Sequence, residues 1–453
     1  MKGMSLLTAA AACGGNYMGD RELGLREPKD LVIDSRAVTE GSLFAALPGE
    51  KTDGHAFVAK AFENGAAACL VTHIPEGETR PCIVVEDVVK AMGDIAAAYR
   101  ATLQIPIVGI TGSVGKTTMK EMIASVLEQR FKVLKTEKNF NNHMGVPMTI
   151  CSIEPEHQVA VVEMGINHFG EMEHLGSIVR PNVAVYTNIG RCHLEFLMDR
   201  LGVLQAKTEM MPYIKKTGTV FVNGDDDLLK NYQYPPLDIF TYGVTEESNI
   251  HAENVEVHGK DGITCDIVML DRRIPVTINA YGKHMLSAAL GAAAVAMNFG
   301  MGDSDIAAGI AAYRPVGGRA AIVETEHCTV INDCYNANPD SMTSAIESLA
   351  MCPGSKAAIL GDMYELGADS ADMHREMGRV CKAQGIDRLI TCGSLGADIA
   401  EGAKAAGMEN VTHFADTESL CSAVKALIPE GDYVLVKASH GLHLEAVVDT
   451  LTK

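Results

Sequence analysis

Residues 105–129 read IPIVGITGSVGKTTMKEMIASVLEQ: an apolar run, a glycine-rich turn, a lysine and two threonines in immediate succession. The run 105–110 has the β-branched composition of a buried parallel strand. From Thr117 onward, Met119, Met122, Ile123 and Val126 fall at helical spacing. Between strand and helix, Gly112 and Gly115 permit a tight backbone and close approach to a ligand. A turn that ends at a helix N-terminus offers unpaired N–H groups and a positive dipole end to an anion. Lys116 adds a point charge, and the hydroxyl of Thr117 can reach a magnesium ion. The chemistry this stretch offers is phosphate binding. It is not the strict Walker form, because Ile110 holds the place of that pattern's first glycine, with Gly109 and Gly112 on either side.

In an open parallel sheet, ligands lie beyond the carboxyl ends of the strands. The residues that follow the other apolar runs are therefore the next candidates. QVAVV is followed by Glu163; NVAVYTNIG is followed by RCHLE with His193, and then by LQAKTE with Lys207. A carboxylate facing a phosphate loop suits magnesium, which prefers oxygen donors. By residue type alone, Glu163 fits an exposed strand end as well as a metal site, while His193 and Lys207 fit a surface histidine and a solvated helix face better. A shared sheet edge is what makes them candidates. In KNFNNHMGVP, Asn139, Asn141 and Asn142 follow a strand beside a Gly-x-Pro turn. They could hydrogen-bond substrate phosphates or simply close the turn.

The elements that must position these residues need more than one core, since 453 residues imply two or three domains. With 47% hydrophobic and 21% charged residues, the chain reads as soluble and globular. A net charge of −20 opposes non-specific nucleic-acid binding, so anionic ligands must be met by locally concentrated cations. The 12 cysteines form no C-x-x-C pair, which points to free thiols in a reducing cytoplasm. No run reaches the ~18 apolar residues of a membrane span, so no membrane insertion is expected. The opening MKGMSLLTAAAACGG has one charge and a short apolar core, and reads as a first helix ending at Gly14-Gly15 rather than a secretion signal.

Residues 1–103 read as a small α/β unit with strands DLVIDS, SLFAAL, AACLVT and PCIVVED. Residues 104–313 alternate strand and helix as a doubly wound, mostly parallel sheet: IPIVGI, KVLKT, QVAVVEMG, NVAVYTNIG and GTVFVNGDD. A few antiparallel strands are expected between residues 250 and 282, then the helix HMLSAALGAAAVAMNFG. Pro315, Gly317 and Gly318 mark an interdomain linker near Tyr313. Residues 314–453 resume the alternation as a Rossmann-like α/β domain, with strands CTVINDCY, KAAILGDM, RLITCG, VTHFAD and DYVLVKASHG. The fold class is thus α/β, in three domains.

TGSVGKTT, KNFNNHMGVP, VVEMGINHFGEM, TNIGRCHLEFL with AKTE, PVGGR, NDCYNANPDSM and LGDMYELG occur in the order used by Mur ligases, and the chain resembles that family over nearly its whole length. DSRAVTEGSLFAALPGEKTDGHAFVAKAFENGAAA resembles the UDP-binding domain of its later members, and DCYNANPDSM resembles the branch that adds D-alanyl-D-alanine. The resemblance implies ATP and two magnesium ions as cofactors. Its implied partners are UDP-N-acetylmuramoyl-tripeptide and D-alanyl-D-alanine, joined through an acyl phosphate by a cytoplasmic, monomeric enzyme.

Carried over by residue, the resemblance implies that Gly112, Ser113, Val114, Gly115, Lys116, Thr117 and Thr118 hold the ATP phosphates. Lys116 would meet the β and γ groups, and Thr117 a magnesium ion. Glu163 would be shared by both ions, His193 would bind the second, and Lys207 would be carbamylated. His284 matches the helix near the adenine, while Arg319 and Asp333 would contact the nucleotide's phosphate and ribose. Asn336, Asn338 and Ser341 would shape the site where the C-terminal domain closes, and Asn139 and Asn142 would meet substrate. Ser35, Arg36, Asp53, Gly54 and His55 would lie near the UDP end. Two positions depart from the family pattern: Ala288 replaces an asparagine, and His440 replaces the arginine of K-G-S-R, where Lys437 and Ser439 match. Folylpolyglutamate synthase shares such a core but lacks the N-terminal UDP domain. A nucleotide switch would carry Asn-Lys-x-Asp, which this sequence lacks.

Overall fold

Where the β-branched runs fall decides the sheets. In the computed structural model, which describes residues 1–49 and 52–453, four sheets are formed among the described residues. The N-terminal sheet contains β1 (Asn16–Met18), β2 (Leu31–Val32), β3 (Leu43–Ala45), β4 (Ala68–Val71) and β5 (Cys82–Val84). Its order is β1-β5-β4-β3-β2, parallel except for β1. The central sheet holds β6 (Ile107–Thr111), β7 (Val133–Lys135), β8 (Val159–Glu163), β9 (Val183–Tyr186), β10 (Thr219–Asn223) and β11 (Asp238–Tyr242). All are parallel, in the order β11-β10-β9-β6-β8-β7. An antiparallel sheet of β12 (His251–Val257), β13 (Ile263–Met269) and β14 (Arg272–Ile278) follows.

The C-terminal sheet contains β15 (Ala321–Glu324), β16 (Thr329–Asn332), β17 (Lys356–Gly361), β18 (Arg388–Cys392), β19 (Val411–Phe414) and β20 (Tyr433–Lys437). Its order is β15-β16-β20-β17-β18-β19, parallel except for β15. Every strand expected from sequence is present. The additions β1, β11 and β15 each lie at a sheet edge.

Strands β6 and β8 are buried along their whole length, because helices cover both faces of the parallel sheet. The helix Lys116–Leu127 starts directly after β6 and buries Met119, Met122, Ile123 and Val126. It packs on the helix His284–Asn298, whose alanine-rich face allows close approach; a Cβ on Gly291 would lie 2.5 Å from the Met119 methyl. Each such buried apolar side chain contributes roughly 1.5–3 kcal/mol. The sheet order reverses at β6, which lies between β8 and β9, so the crevice at its carboxyl end is a ready ligand site.

The N-terminal unit is joined to the central one through a shared core. Its last helix, Val88–Thr102, is capped by Asp87 and carries Tyr99 and Arg100 into the joint. Tyr99 Oη donates to Ile153 O at 2.6 Å, and Arg100 Nε to Val179 O at 2.8 Å. The opening residues form the helix Leu6–Ala12, capped by Ser5, with Leu6, Ala9 and Ala10 buried. Among the described residues no helix is long and apolar enough to cross a membrane.

Candidate active site

The turn after β6 takes its shape from two glycines and from the end of β9. Gly112 has φ +146° and Gly115 φ +81°, and a Cβ on Gly112 would fall 1.9 Å from Thr187 Oγ1. Val114 N–H donates to Asn188 Oδ1 at 2.9 Å, Thr187 Oγ1 donates to Val114 O at 2.6 Å, and Gly190 N–H donates to Ser113 Oγ at 2.9 Å. Lys116 Nζ folds back onto Gly112 O at 2.8 Å and Ser113 O at 3.2 Å. Burial lowers its pKa, Glu163 and Cys192 oppose that, and Arg319 adds to it.

Glu163, at the end of β8, has both carboxylate oxygens engaged. Thr117 Oγ1 donates to Oε2 at 2.8 Å, and Asn141 Nδ2 donates to Oε1 at 2.8 Å. The sequence offered three asparagines here, and Asn141 is the one that reaches the carboxylate. Asn142 instead accepts from the N–H groups of Met144 and Gly145, at 3.1 and 2.9 Å, and opens the helix Gly145–Cys151. Asn139 is exposed on the same loop.

His193 precedes the helix Leu194–Leu197 with φ +54°, and its Nδ1 meets the Glu365 carboxylate of the C-terminal domain. Burial lowers its pKa; Glu365 opposes that, and Lys207 and Lys116 reinforce it. Lys207, in the helix Arg200–Thr208, is 0% exposed, and its Nζ has no hydrogen-bond partner among the described residues. Burial pulls its pKa down to about 8, with Lys116 pushing the same way and Cys192 against. An unpaired ammonium here is costly, which brings the neutral amine within reach near pH 8.

Among the described residues no three His, Cys, Asp or Glu side chains are grouped to hold a metal ion. The donors present are the Thr117 hydroxyl, the Glu163 carboxylate and the His193 imidazole. Magnesium takes one or two carboxylates and completes its shell with phosphate oxygens and water. Thr117 and Glu163 therefore fit one ion beside a nucleotide. A second ion at His193 would gain a further oxygen donor if Lys207 carried a carbamate in place of its amine.

One cavity of about 620 Å³ joins the two larger domains. Ser113, Val114, Gly115, Lys116, Thr118, Glu163, His193, Asn139 and Asn142 line it from the central domain, as do His284 and the buried Ala288. Arg319, Asp333, Asn336, Asn338 and Ser341 line it from the C-terminal domain. Gly112, Thr117 and Lys207 lie behind this lining. Burial lowers the His284 pKa at the start of its helix. Asp333 Oδ2 accepts from Lys437 Nζ at 2.6 Å, and Lys437 also donates to Asn336 O at 2.9 Å. The Arg319 guanidinium stacks 3.9 Å from the centroid of Tyr335. Asn338 and Ser341 bond reciprocally as the capping box of the helix Pro339–Ala350.

The five N-terminal candidates lie elsewhere, and none is among the described residues lining this cavity. Asp53 accepts from His55 N–H at 3.0 Å and meets His55 Nδ1 at 2.7 Å, while His55 Nε2 accepts from Thr72 N–H at 3.0 Å. Gly54 is held close, since a Cβ there would lie 2.6 Å from Leu47 N. Arg36 is exposed and forks onto Asp34, and Ser35 O accepts from Asn64 Nδ2 at 2.8 Å.

Sequence reasoning missed the contacts that cross the domain boundary. Arg191 Nε meets Asp340 Oδ1 at 3.0 Å and its Nη1 meets Glu376 Oε2 at 2.8 Å. The motifs containing Asp340 and Glu365 were visible, but nothing local pairs them with residues so distant in the chain. Thr187 and Asn188, which pin the loop, were visible only as the end of a strand.

Comparisons with known proteins match three family models along the chain. Residues 29–102 match the family described as Mur ligase family, catalytic domain; residues 110–296 match Mur ligase middle domain; and residues 318–440 match Mur ligase, glutamate ligase domain. The UDP-N-acetylmuramoyl-tripeptide–D-alanyl-D-alanine ligase of Bacillus subtilis (strain 168) is 37% identical, over 93% of this chain and 92% of its own. The enzyme of that name from Escherichia coli (strain K12) is 36% identical, over 93% of each chain. A crystal structure of MurF from Acinetobacter baumannii superposes with a TM-score of 0.89 at 30% identity, covering 99% of both chains.

Proposed function

The chain belongs to the Mur ligase family, and from that premise we propose that it joins D-alanyl-D-alanine to UDP-N-acetylmuramoyl-tripeptide at the expense of ATP. The observation that carries this reading is the single cavity that sets the phosphate loop, Glu163 and His193 against Arg319 and Asp333. Residues 1–103 bind the UDP end of the substrate, with Ser35, Arg36, Asp53, Gly54 and His55 nearby. Residues 104–313 bind ATP, and residues 314–453 close over it and receive the dipeptide. The enzyme works in the cytoplasm as a monomer.

In the reaction, the terminal carboxylate of the tripeptide attacks the γ-phosphate of ATP, releasing ADP and leaving an acyl phosphate. The dipeptide amine then attacks the acyl carbon, expels phosphate and forms the amide. The first step brings two anions together, a repulsion on the order of 4 kcal/mol at 4 Å and an effective dielectric of about 20. The loop N–H groups and Lys116 hold the phosphates against it. Thr117 and Glu163 would hold one magnesium ion, and Glu163, His193 and carbamylated Lys207 a second. Magnesium, when bound, supplies positive charge where the two anions meet. Carbamylation forms a bond between the neutral Lys207 nitrogen and the carbon of CO₂, with loss of a proton. A buried amine with its pKa lowered to about 8 is suited to that step. Arg191, bridging to Asp340 and Glu376, holds the domains together and so keeps water from the acyl phosphate.

Phosphate release from ATP tests the reading. It should require both the tripeptide nucleotide and D-alanyl-D-alanine, and should yield the pentapeptide nucleotide stoichiometrically. Running tripeptides ending in lysine and in meso-diaminopimelate side by side identifies the acceptor. ATP turnover without amide product, or no turnover with either tripeptide, contradicts the proposal.

A further inference from the structure

Glu365 reaches His193 from the loop after β17, and that loop is fixed at almost every residue. The buried Asp362 carboxylate accepts from Leu395 N–H at 2.9 Å and Gly396 N–H at 2.8 Å. Met363 N–H donates to Nε2 of the buried His374 at 2.9 Å, and His374 Nδ1 donates to Ser370 O at 2.6 Å. Tyr364 N–H donates to Ser439 Oγ at 3.0 Å. Glu365 O accepts from Glu195 N–H at 3.3 Å. Glu365 itself has φ +60°, and His193 has φ +54°. Both are left-handed positions, unfavourable for a residue with a Cβ and held only where the surroundings enforce them. Two strained residues on different domains thus bond to each other through their side chains.

We propose that Glu365 is a positioning residue for the ligase reaction, accepting a hydrogen bond from Nδ1–H of His193 so that Nε2 keeps its lone pair for a metal ion. A neutral imidazole has one N–H and one lone pair, and the partner of the first decides which nitrogen carries the second. His193 Nδ1 faces a carboxylate, and among the described residues Nε2 has no hydrogen-bond partner. The ring is therefore oriented only when the C-terminal domain is in place. Simple latching does not account for Glu365, because Arg191 already ties the same two domains through Asp340 and Glu376. Partners of this kind typically change metal affinity about 10–100-fold. The inference rests on the reading of His193 as a metal ligand.

The test uses the full chain and two readouts that do not depend on turnover. Nitrogen-15 histidine spectra, with His193 assigned by its loss in His193→Gln, should show the Nδ1–H tautomer in the native protein. Glu365→Ala should shift His193 towards Nε2–H, whereas Glu365→Gln, whose side-chain oxygen can still accept, should keep Nδ1–H. Manganese titrations followed by electron paramagnetic resonance with ADP present should show two sites, one weakened about 10–100-fold in Glu365→Ala and largely restored in Glu365→Gln. His193→Gln should weaken the same site. If His193→Gln weakens it and Glu365→Ala does not, the inference falls and the metal reading stands. If His193→Gln binds both ions unchanged, the metal reading falls and takes the inference with it. An Nε2–H tautomer in the native protein overturns the inference directly.

Discussion

At the phosphate loop, Lys116 donates only to carbonyls of its own turn, and Lys207 donates to nothing among the described residues. In the N-terminal domain Arg36, Asp53 and His55 are already engaged with protein partners. Arg36 grips Asp34, and both ring nitrogens of His55 are taken by Asp53 and Thr72. The first region carries a lysine without a protein partner and another held only by its own turn, both open to a ligand or a modification. In the second, Arg36 and His55 are engaged without one, so a ligand that uses them must compete with those bonds. Substitutions should therefore separate the two regions: chemistry is lost at little cost in stability in the first, and kcat is kept in the second, where the buried His55 clamp costs stability.

The largest effect is expected at Lys116. Lys116→Ala should lower ATP-dependent amide formation on the order of a thousandfold, as expected when a charge aimed at the reacting phosphates is removed. Its melting temperature should stay within a few degrees of native, because the lysine bonds only loop carbonyls. Steady-state kinetics and a thermal melt check both halves, and near-native turnover would break the comparison. Lys207→Met should lose most activity too, on the order of a hundredfold. In carbon-dioxide-free buffer, however, it should be more stable than native by about 1–3 kcal/mol, since it replaces an unpaired buried amine with an apolar chain of similar length. Denaturant titration reads the sign. A destabilised Lys207→Met would mean that the amine has partners after all.

On the other side, His55→Ala should cost about 1–3 kcal/mol of stability by emptying a buried ring position and leaving Thr72 N–H without its acceptor. Its kcat should be close to native, which separates a structural clamp from a reacting group. Arg36→Ala should have the smallest effect on stability, because its ion pair with Asp34 is exposed. If Arg36 lies at the UDP end, KM for the tripeptide nucleotide rises while kcat stays constant. An unchanged KM would remove it from the binding surface.

How much of this was legible follows from what each feature depends on. Strands β6, β8 and β9 are buried throughout, so their apolar runs stood out. The edge strands β1, β11 and β15 did not stand out, because they need burial on fewer sides. In β11, for example, Asp238 and Phe240 are exposed between half-buried neighbours. The phosphate loop was readable because its chemistry is contiguous. Asn141 could not be chosen over Asn139 and Asn142, since their roles depend on how one short turn is folded. The contacts of Glu365 with His193 and of Arg191 with Asp340 depend on two domains meeting, for which no local pattern exists. Asp333 was legible as a cavity residue, but its bond to Lys437, more than a hundred positions later, was not.

The most direct measurement is carbon-13 spectroscopy of the full chain in labelled bicarbonate. If the unpaired Lys207 amine is held ready for modification, a carbamate resonance should appear in the native protein and be absent from Lys207→Met. In the metal-free protein its intensity should fall as the pH drops below about 8, because there the amine takes up the proton that bars its reaction with CO₂. No carbamate signal in the native protein above pH 8, or the same signal in Lys207→Met, would contradict the account.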